Sequence, residues 1–490
     1  MEREQLTHIT GTFVIDAMPS FLNGAGVAKW REDKTLTMPK TFADGTVESS
    51  MAEQSEDEAG VEEGGPTRVR KGRTPFISSQ SFRRMLRDTA IEESGEQPSL
   101  MRAYKQDDDG HTSKAGTALD PVAYLEDDVF GYMYTSEGSG KPRVTASVST
   151  EDVELSVGEI KSNNRSKTDA DQDQDQDQDQ EETNAQGEDA APVVMAATSG
   201  TGRARVKTVS RFSPLSTSIL VGLRKDGWRG VDDAFVHLTE GTPLPYSTEF
   251  TNTPFTGIFS LNYSRLCRFK NIGDRIELAD GLVEKYLASN TIKPAGKEEY
   301  YSLENKEGNV LITKGRNKGQ FRKGKVPTSV KKDGIVYELT DNAAEIRKAR
   351  ASAIINSLAV LRGGAKQAAF ETDVSPKVLI MAGLTCGNPI FNTLFQDYNT
   401  GNTRGKTVSI DIKALKEIVA DYRDRICTPV YVGIRTGFLK NEDQIRQELT
   451  REENFIVTTP IDAARQLTKS LPPSTSTSAS APAPAYTGTA

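Results

Sequence analysis

The chain is 490 residues long, carries a formal charge of −8 at neutral pH, and contains three cysteines and three histidines. Cys267, Cys386 and Cys427 form no CxxC pair, and His8, His111 and His237 are equally scattered. That argues against a disulfide framework, a structural zinc or a histidine-based metal centre, and no cofactor is implied. No apolar run is long enough to span a bilayer and the opening MEREQLTHIT is too polar for a signal peptide, so the expectation is a cytoplasmic protein with no membrane partner.

The net charge conceals an uneven distribution. Asp44–Glu63 holds eight acidic residues and Asp169–Asp189 holds ten, neither with a Lys or Arg, and without those eighteen acids the charge changes from −8 to +10. A basic body suits a polyanionic partner. Length alone suggests roughly three domains. The acidic runs, DQDQDQDQDQ among them, have almost nothing to bury, so 44–66 and 150–200 read as disordered acidic insertions in one elaborated domain over 1–471. The Pro/Ser/Thr/Ala tail at 472–490 should not fold.

In chain order, Thr7–Asp16 alternates Ile9, Phe13 and Ile15 with His8, Thr10 and Thr12, the pattern of a strand with one face buried. Pro19, Gly24 and Gly26 end it, with Asn23 at a turn position. Such a glycine-containing loop either brings backbone N–H groups to a ligand or is merely a turn. Lys71–Asp88 then reads as a basic turn feeding a helix. Phe82, Met85, Leu86 and Ala90 fall on one apolar face, while Arg83, Arg84 and Arg87 project elsewhere. Ser78 and Ser79 stand where the helix begins, and a capped helix start favours an anion. With Arg73 upstream this is a candidate phosphate grip, the alternative being a surface helix with solvated arginines.

Glu92–Asp120 is polar and carries no assignable element. Asp128–Tyr134, followed by GSGKP and Val144–Val148, suggests two short strands. Arg203–Leu223 reads as a long strand or arm. Its Arg203, Arg205, Lys207 and Arg211 share odd positions and hence one face, either a binding face or a charged guard on an edge strand. Phe250–Leu266 is strand-like, a helix near Leu278–Leu287 follows, and Lys314–Lys332 forms the basic loop of a hairpin flanked by Val310–Ile312 and Ile335–Leu339. Asn342–Arg362 is the longest convincing helix, with Asn342 and Glu345 as a capping box and Ile354, Leu358 and Leu361 as its stripe. Gly363 and Gly364 are its C-cap or, with Lys366 and Gln367, a backbone-lined pocket. The strand KVLIMAGL, then Thr407–Ile412 (strand), Ala414–Asp424 (helix), Pro429–Ile434 (strand) and Ile461–Lys469 (helix), complete an α+β pattern.

HITGTFVIDAMPSFLNGAG, TPFISSQSFRRMLRD, DDVFGYM, SRFSPLSTS and LRGGAKQAAFETDVSPKVLIMAG, in this order, resemble the backbone subunit of type I CRISPR surveillance complexes (Cascade), the Cas family numbered seven, in its DevR-like branch. RGGAKQ departs somewhat from that branch. The resemblance implies an RRM-like (ferredoxin-type) palm with finger and thumb insertions, the thumb near 201–225, and a non-catalytic protein binding crRNA as a head-to-tail filament. Implied partners are crRNA, target DNA through guide pairing, copies of itself, and other Cascade subunits, namely the large subunit and those capping the crRNA ends; transposition proteins are a further class. By carry-over, Asn23, Arg73, Ser78, Ser79, Gln80, Arg83, Arg84 and Arg87 line the guide backbone, Arg203–Arg211 belong to the thumb, and Gly363, Gly364, Lys366 and Gln367 to a loop against the RNA.

Two alternatives stand beside it. Asp16, Glu32 and Asp33 lie where related type III subunits place an acidic residue for guide-directed, metal-dependent RNA cleavage. A stand-alone RRM-like RNA-binding protein is the other, disfavoured by the lack of an aromatic base-stacking strand motif.

Overall fold

The first strand follows the expected alternation, yet both its faces are covered. In the computed structural model, which describes residues 6–31, 34–47, 70–106, 112–135, 208–224, 227–236, 240–241, 244–311, 321–397 and 407–472, β1 (His8–Ser20) belongs to a twelve-stranded sheet. Ile9, Phe13 and Ile15 enter one hydrophobic core and Val14 a second. Thr10 and Thr12, expected at solvent, are buried and donate their hydroxyls to Phe259 O at 3.1 Å and Gly257 O at 2.9 Å. A short polar side chain that reaches the next strand's carbonyl removes the penalty of its own burial. Gly11 is required here, because a Cβ would lie 2.5 Å from Ile380 O.

After β1 come β2 (Gly24–Arg31), β3 (Lys34–Pro39), β4 (Thr41–Val47) and β5 (Arg70–Ile77), then α1 (Ser79–Ser94). β6 (Arg102–Gln106) and β7 (Thr112–Gly116) form a small hairpin within the stretch that the sequence leaves unassigned. Asp128–Phe130, expected as strand, instead closes α2 (Leu125–Phe130), and only β8 (Tyr132–Thr135) is extended. The helix forms because its acids have buried partners: Asp127 accepts from Ser99 Oγ at 2.9 Å and Asp120 N at 2.8 Å, and Asp128 from Cys267 N at 3.1 Å. Val144–Val148, 150–200 and most of 44–66 lie outside the described residues. By contacts, 1–134 with 208–490 form one unit and 135–207 another.

The chain continues through β9 (Thr208–Arg211), β10 (Leu215–Thr217), β11 (Leu220–Gly222), β12 (Arg229–Val236) and β13 (Leu244–Asn262). β14 (Arg268–Ile272), β15 (Arg275–Ile276), α3 (Asp280–Ala288) and the long pair β16 (Ile292–Leu311) and β17 (Phe321–Leu339) follow. α4 (Ala343–Ala359), α5 (Gln367–Phe370), β18 (Pro376–Leu384), β19 (Phe395–Asp397), β20 (Val408–Ile410) and α6 (Ile412–Asp421) come next, and β21 (Val430–Ile434), α7 (Glu442–Leu449), β22 (Phe455–Thr458) and α8 (Pro460–Ser470) end the fold. The main sheet runs β22-β21-β18-β1-β13-β11-β5-β4, and a second runs β16-β17-β14-β15-β9-β8. Side chains from α1, α4 and α8 fill the core on one face of β1 and β18, and those of α6 and α7 the core on the other. The protein is thus mixed α+β with several sheets. Asn342 differs from its expected role. It sits at φ 49° without a side-chain capping bond, so the helix start is held by backbone geometry instead.

Candidate nucleic-acid interface

The turn after β1 is where the candidate elements meet. Asn23 Oδ1 accepts from Ser78 N at 2.8 Å, the residue whose Oγ in turn accepts from Ser81 N at 3.2 Å and caps α1. On the other side, Ala365 N donates to Leu22 O at 3.3 Å, which lays the glycine loop against the same turn. Gly363 and Gly364 have φ of 101° and 112°, conformations open to glycine. A Cβ on Gly364 would lie 2.5 Å from Leu22 Cδ2. Lys366 Nζ lies 4.8 Å from the centre of the Phe21 ring and donates to Thr248 Oγ1 at 3.1 Å. Segments far apart in sequence therefore share one edge.

Around this edge the polar groups divide into those used by the fold and those that reach solvent. The first turn of α1 contains no acidic residue, Gln80 is exposed, and Ser79 is half-buried. Arg84 is 78 % exposed, and its Nε lies 3.7 Å from Asp88. Arg73 is exposed; its Nε donates to Thr41 Oγ1 at 3.1 Å and its Nη1 lies 3.9 Å from the buried Glu249, which Arg229 also approaches at 3.1 Å. Arg87 is turned inward to Glu126 at 3.4 Å. Burial raises the Glu126 carboxyl above its usual range, opposed by the N–H of Ser99 and by Arg87.

Arg83 and Arg211 occupy different surroundings from those the helical and strand periods suggest. Arg83 is spent on the protein: it donates to Leu215 O at 2.6 Å, Phe130 O at 2.8 Å and Ser213 Oγ at 2.9 Å, and burial lowers its pKa. Arg211 is wholly buried. Its Nε donates to Asp128 O at 2.9 Å, Nη1 to Arg268 O at 2.9 Å and Glu277 Oε2 at 2.8 Å, and Nη2 to Arg265 O at 3.1 Å and to Asp128 Oδ1. All five guanidinium donors are therefore used within the core, and Arg211 is an anchor of the fold, not a member of an exposed basic face. Arg203, Arg205 and Lys207 lie outside the described residues. Gln367 holds the loop itself, donating to Gly363 O at 2.5 Å and accepting from Thr372 N at 2.8 Å.

Asp16 opens on a recess of about 270 Å³ shared with Met18, Pro254, Val408 and Phe438. Burial raises its pKa, against the attraction of Lys377 and Arg224. Glu32 and Asp33 lie outside the described residues, and among the described residues no three His, Cys, Asp or Glu side chains gather as a metal site would need. Sequence reasoning does not find Phe21, Thr248 and Arg229. Phe21 and Thr248 matter here through Lys366 and Arg229 through Glu249, and no local period signals a pairing of that kind.

No protein-family model matches the chain, and no curated protein does. Among solved structures, a chain titled "CRISPR RNA-guided surveillance complex" aligns over 87 % of this chain and 89 % of its own, at 9 % identity and a TM-score of 0.32. Another, titled "CRISPR RNA-guided surveillance complex, pre-nicking", aligns over 95 % and 100 %, at 9 % identity and a TM-score of 0.39.

Proposed function

We propose that this chain is a non-catalytic subunit that holds a guide RNA by its sugar-phosphate backbone. The observation that carries the reading is the shared edge: a serine-capped helix start free of acids and a glycine loop bearing Lys366 meet on the Phe21–Asn23 turn, with Arg84 reaching solvent from the next turn of α1. Backbone N–H groups, a helix dipole and cations suit phosphate, and phosphate contacts position a strand without reading its bases. The strand order β18-β1-β13-β11, with α1 and α4 on one face, agrees with an RRM-like palm carrying the remaining elements as insertions. In this reading copies stack head to tail, since a heterologous contact that does not close makes a helical filament. The guide's bases are then presented to target DNA, with the large and end-capping subunits at the filament's sides and ends.

The test is binding of repeat–spacer RNA to the full chain with Arg73→Ala, Arg84→Ala and Lys366→Ala combined. Affinity should fall for unrelated spacers alike, and the slope of log affinity against log salt should become shallower by about 0.7 for each phosphate of the single strand that is no longer neutralised. Unchanged affinity and slope, or a weakening confined to one spacer sequence, refutes the backbone grip.

A further inference from the structure

The second sheet sends out a two-stranded ribbon. β16 and β17 pair from Ile292↔Leu339 to Leu311↔Phe321, whereas β14 accompanies β17 only over Ile335–Glu338. From Glu298↔Gly334 outward neither strand has a further strand partner among the described residues. At about 3.3 Å per residue the free part reaches up to about 45 Å.

Its charge changes along its length. The near part is balanced by ion pairs that run diagonally between the strands: Lys331 pairs with Glu299 and Lys332 with Glu304, both at 2.5 Å, and Lys297 with Asp333 at 3.5 Å. Over the described residues 306–311 and 321–325 the sequence holds Lys306, Arg322, Lys323 and Lys325 against Glu307 alone. Lys306 and Lys323 are exposed. Gly308 stands opposite Gly324, flanked by the rungs Glu307↔Lys325 and Asn309↔Lys323, so one rung is bare backbone between cations. A soluble ribbon needs charge, but it does not need charge of one sign, and ion pairing in the near part shows that the sequence can balance it.

We infer that the distal part of this ribbon is a second polyanion site, which lies along the groove of duplex DNA and grips its phosphates without reading sequence. A two-stranded β-ribbon fits the major groove, about 12 Å wide, and the bare glycine rung lets backbone approach backbone. This site is separate from the Phe21–Asn23 edge and stands whether or not that edge binds a guide.

The experiment compares two charge-matched variants of the full chain on a random-sequence duplex of about 30 base pairs, by anisotropy across a salt series. The tip variant combines Lys306→Gln, Arg322→Gln, Lys323→Gln and Lys325→Gln; the stem variant combines Lys293→Gln, Lys297→Gln, Lys331→Gln and Lys332→Gln. The tip variant should bind roughly tenfold or more weakly at low salt, with a slope shallower by about 0.9 for each duplex phosphate it no longer neutralises, and the stem variant should bind within about twofold of the unsubstituted chain. Guide RNA affinity should survive the tip changes, which separates this site from the proposed cradle. Equal weakening by both variants would reduce the effect to net charge and overturn the proposal. So would absence of duplex binding by the unsubstituted chain, or unchanged duplex binding with self-association abolished, which would assign the tip to an acidic surface of another copy.

Discussion

Replacing Arg211 by lysine separates an anchor from a ligand. The guanidinium meets five acceptors with five donors, two of them on the carboxylates of Asp128 and Glu277, whose side chains are fully buried. An ammonium keeps the charge but offers three donors from one point, so at least two of those acceptors are orphaned. At about 1–3 kcal/mol for each buried group left unpaired, Arg211→Lys should cost about 2–6 kcal/mol. Arg211→Ala, which removes all five donors and leaves Asp128 to Arg350 and Cys267 N and Glu277 to Arg265, Arg275 and Lys270 N, should cost at least as much. The assay is urea denaturation followed by circular dichroism, with Arg84→Lys as the control: that side chain is 78 % exposed and its change should stay within about 0.5 kcal/mol. Each variant's midpoint is then set beside its affinity for guide RNA measured well below the transition. An Arg211→Lys protein as stable as its parent but weaker in RNA binding would refute the argument, because it would return Arg211 to the surface role that its odd-numbered position suggests.

Gly364→Ala should destabilise the glycine loop by about 1–3 kcal/mol, since its φ of 112° is strained for any side chain and the new methyl meets Leu22. Faster hydrogen exchange over 362–370 is the expected readout, and unchanged exchange there would contradict it. Asp16→Asn should stabilise the fold in mildly alkaline solution. Burial raises the folded-state pKa of Asp16, so the cost of its ionised form is present above that value and is relieved as pH falls through it. The gain should therefore shrink on acidification, as read by melting temperature against pH, and a drop in stability at every pH would show that the carboxylate is held by partners that offset its burial.

What the sequence discloses depends on whether a residue's surroundings are local. α1 is legible because Ser78 and the Phe82-Met85-Leu86 spacing lie within one segment, whereas its end at Gly95, φ 67°, is seen in the structure. β18 is legible because nine residues run almost without a polar interruption, as a strand buried on both sides must. The ribbon is only half visible in the sequence. Its hairpin is expected, but β17 extends over much of the basic stretch that reads as a loop, because Lys and Glu paired diagonally between the strands stabilise the ribbon without any apolar alternation. α7 is hidden for a similar reason, Ile445 and Leu449 being its main apolar contribution to the core. Periodicity places Arg83 and Arg211 on faces, but whether a face meets water or the carbonyls of another segment is decided far away in the chain, by Phe130 and Leu215 for the one and by Asp128 and Glu277 for the other.

β8 and β9 are neighbours in the second sheet, although the residues numbered 136–207 separate them in sequence. The two ends of that stretch are thus held side by side by the sheet. Closing a loop between fixed, adjacent ends grows dearer only logarithmically, about 0.6 kcal/mol for each doubling of its length. The acidic tract can accordingly lengthen, shorten or change composition under selection while the framework that carries it stays the same.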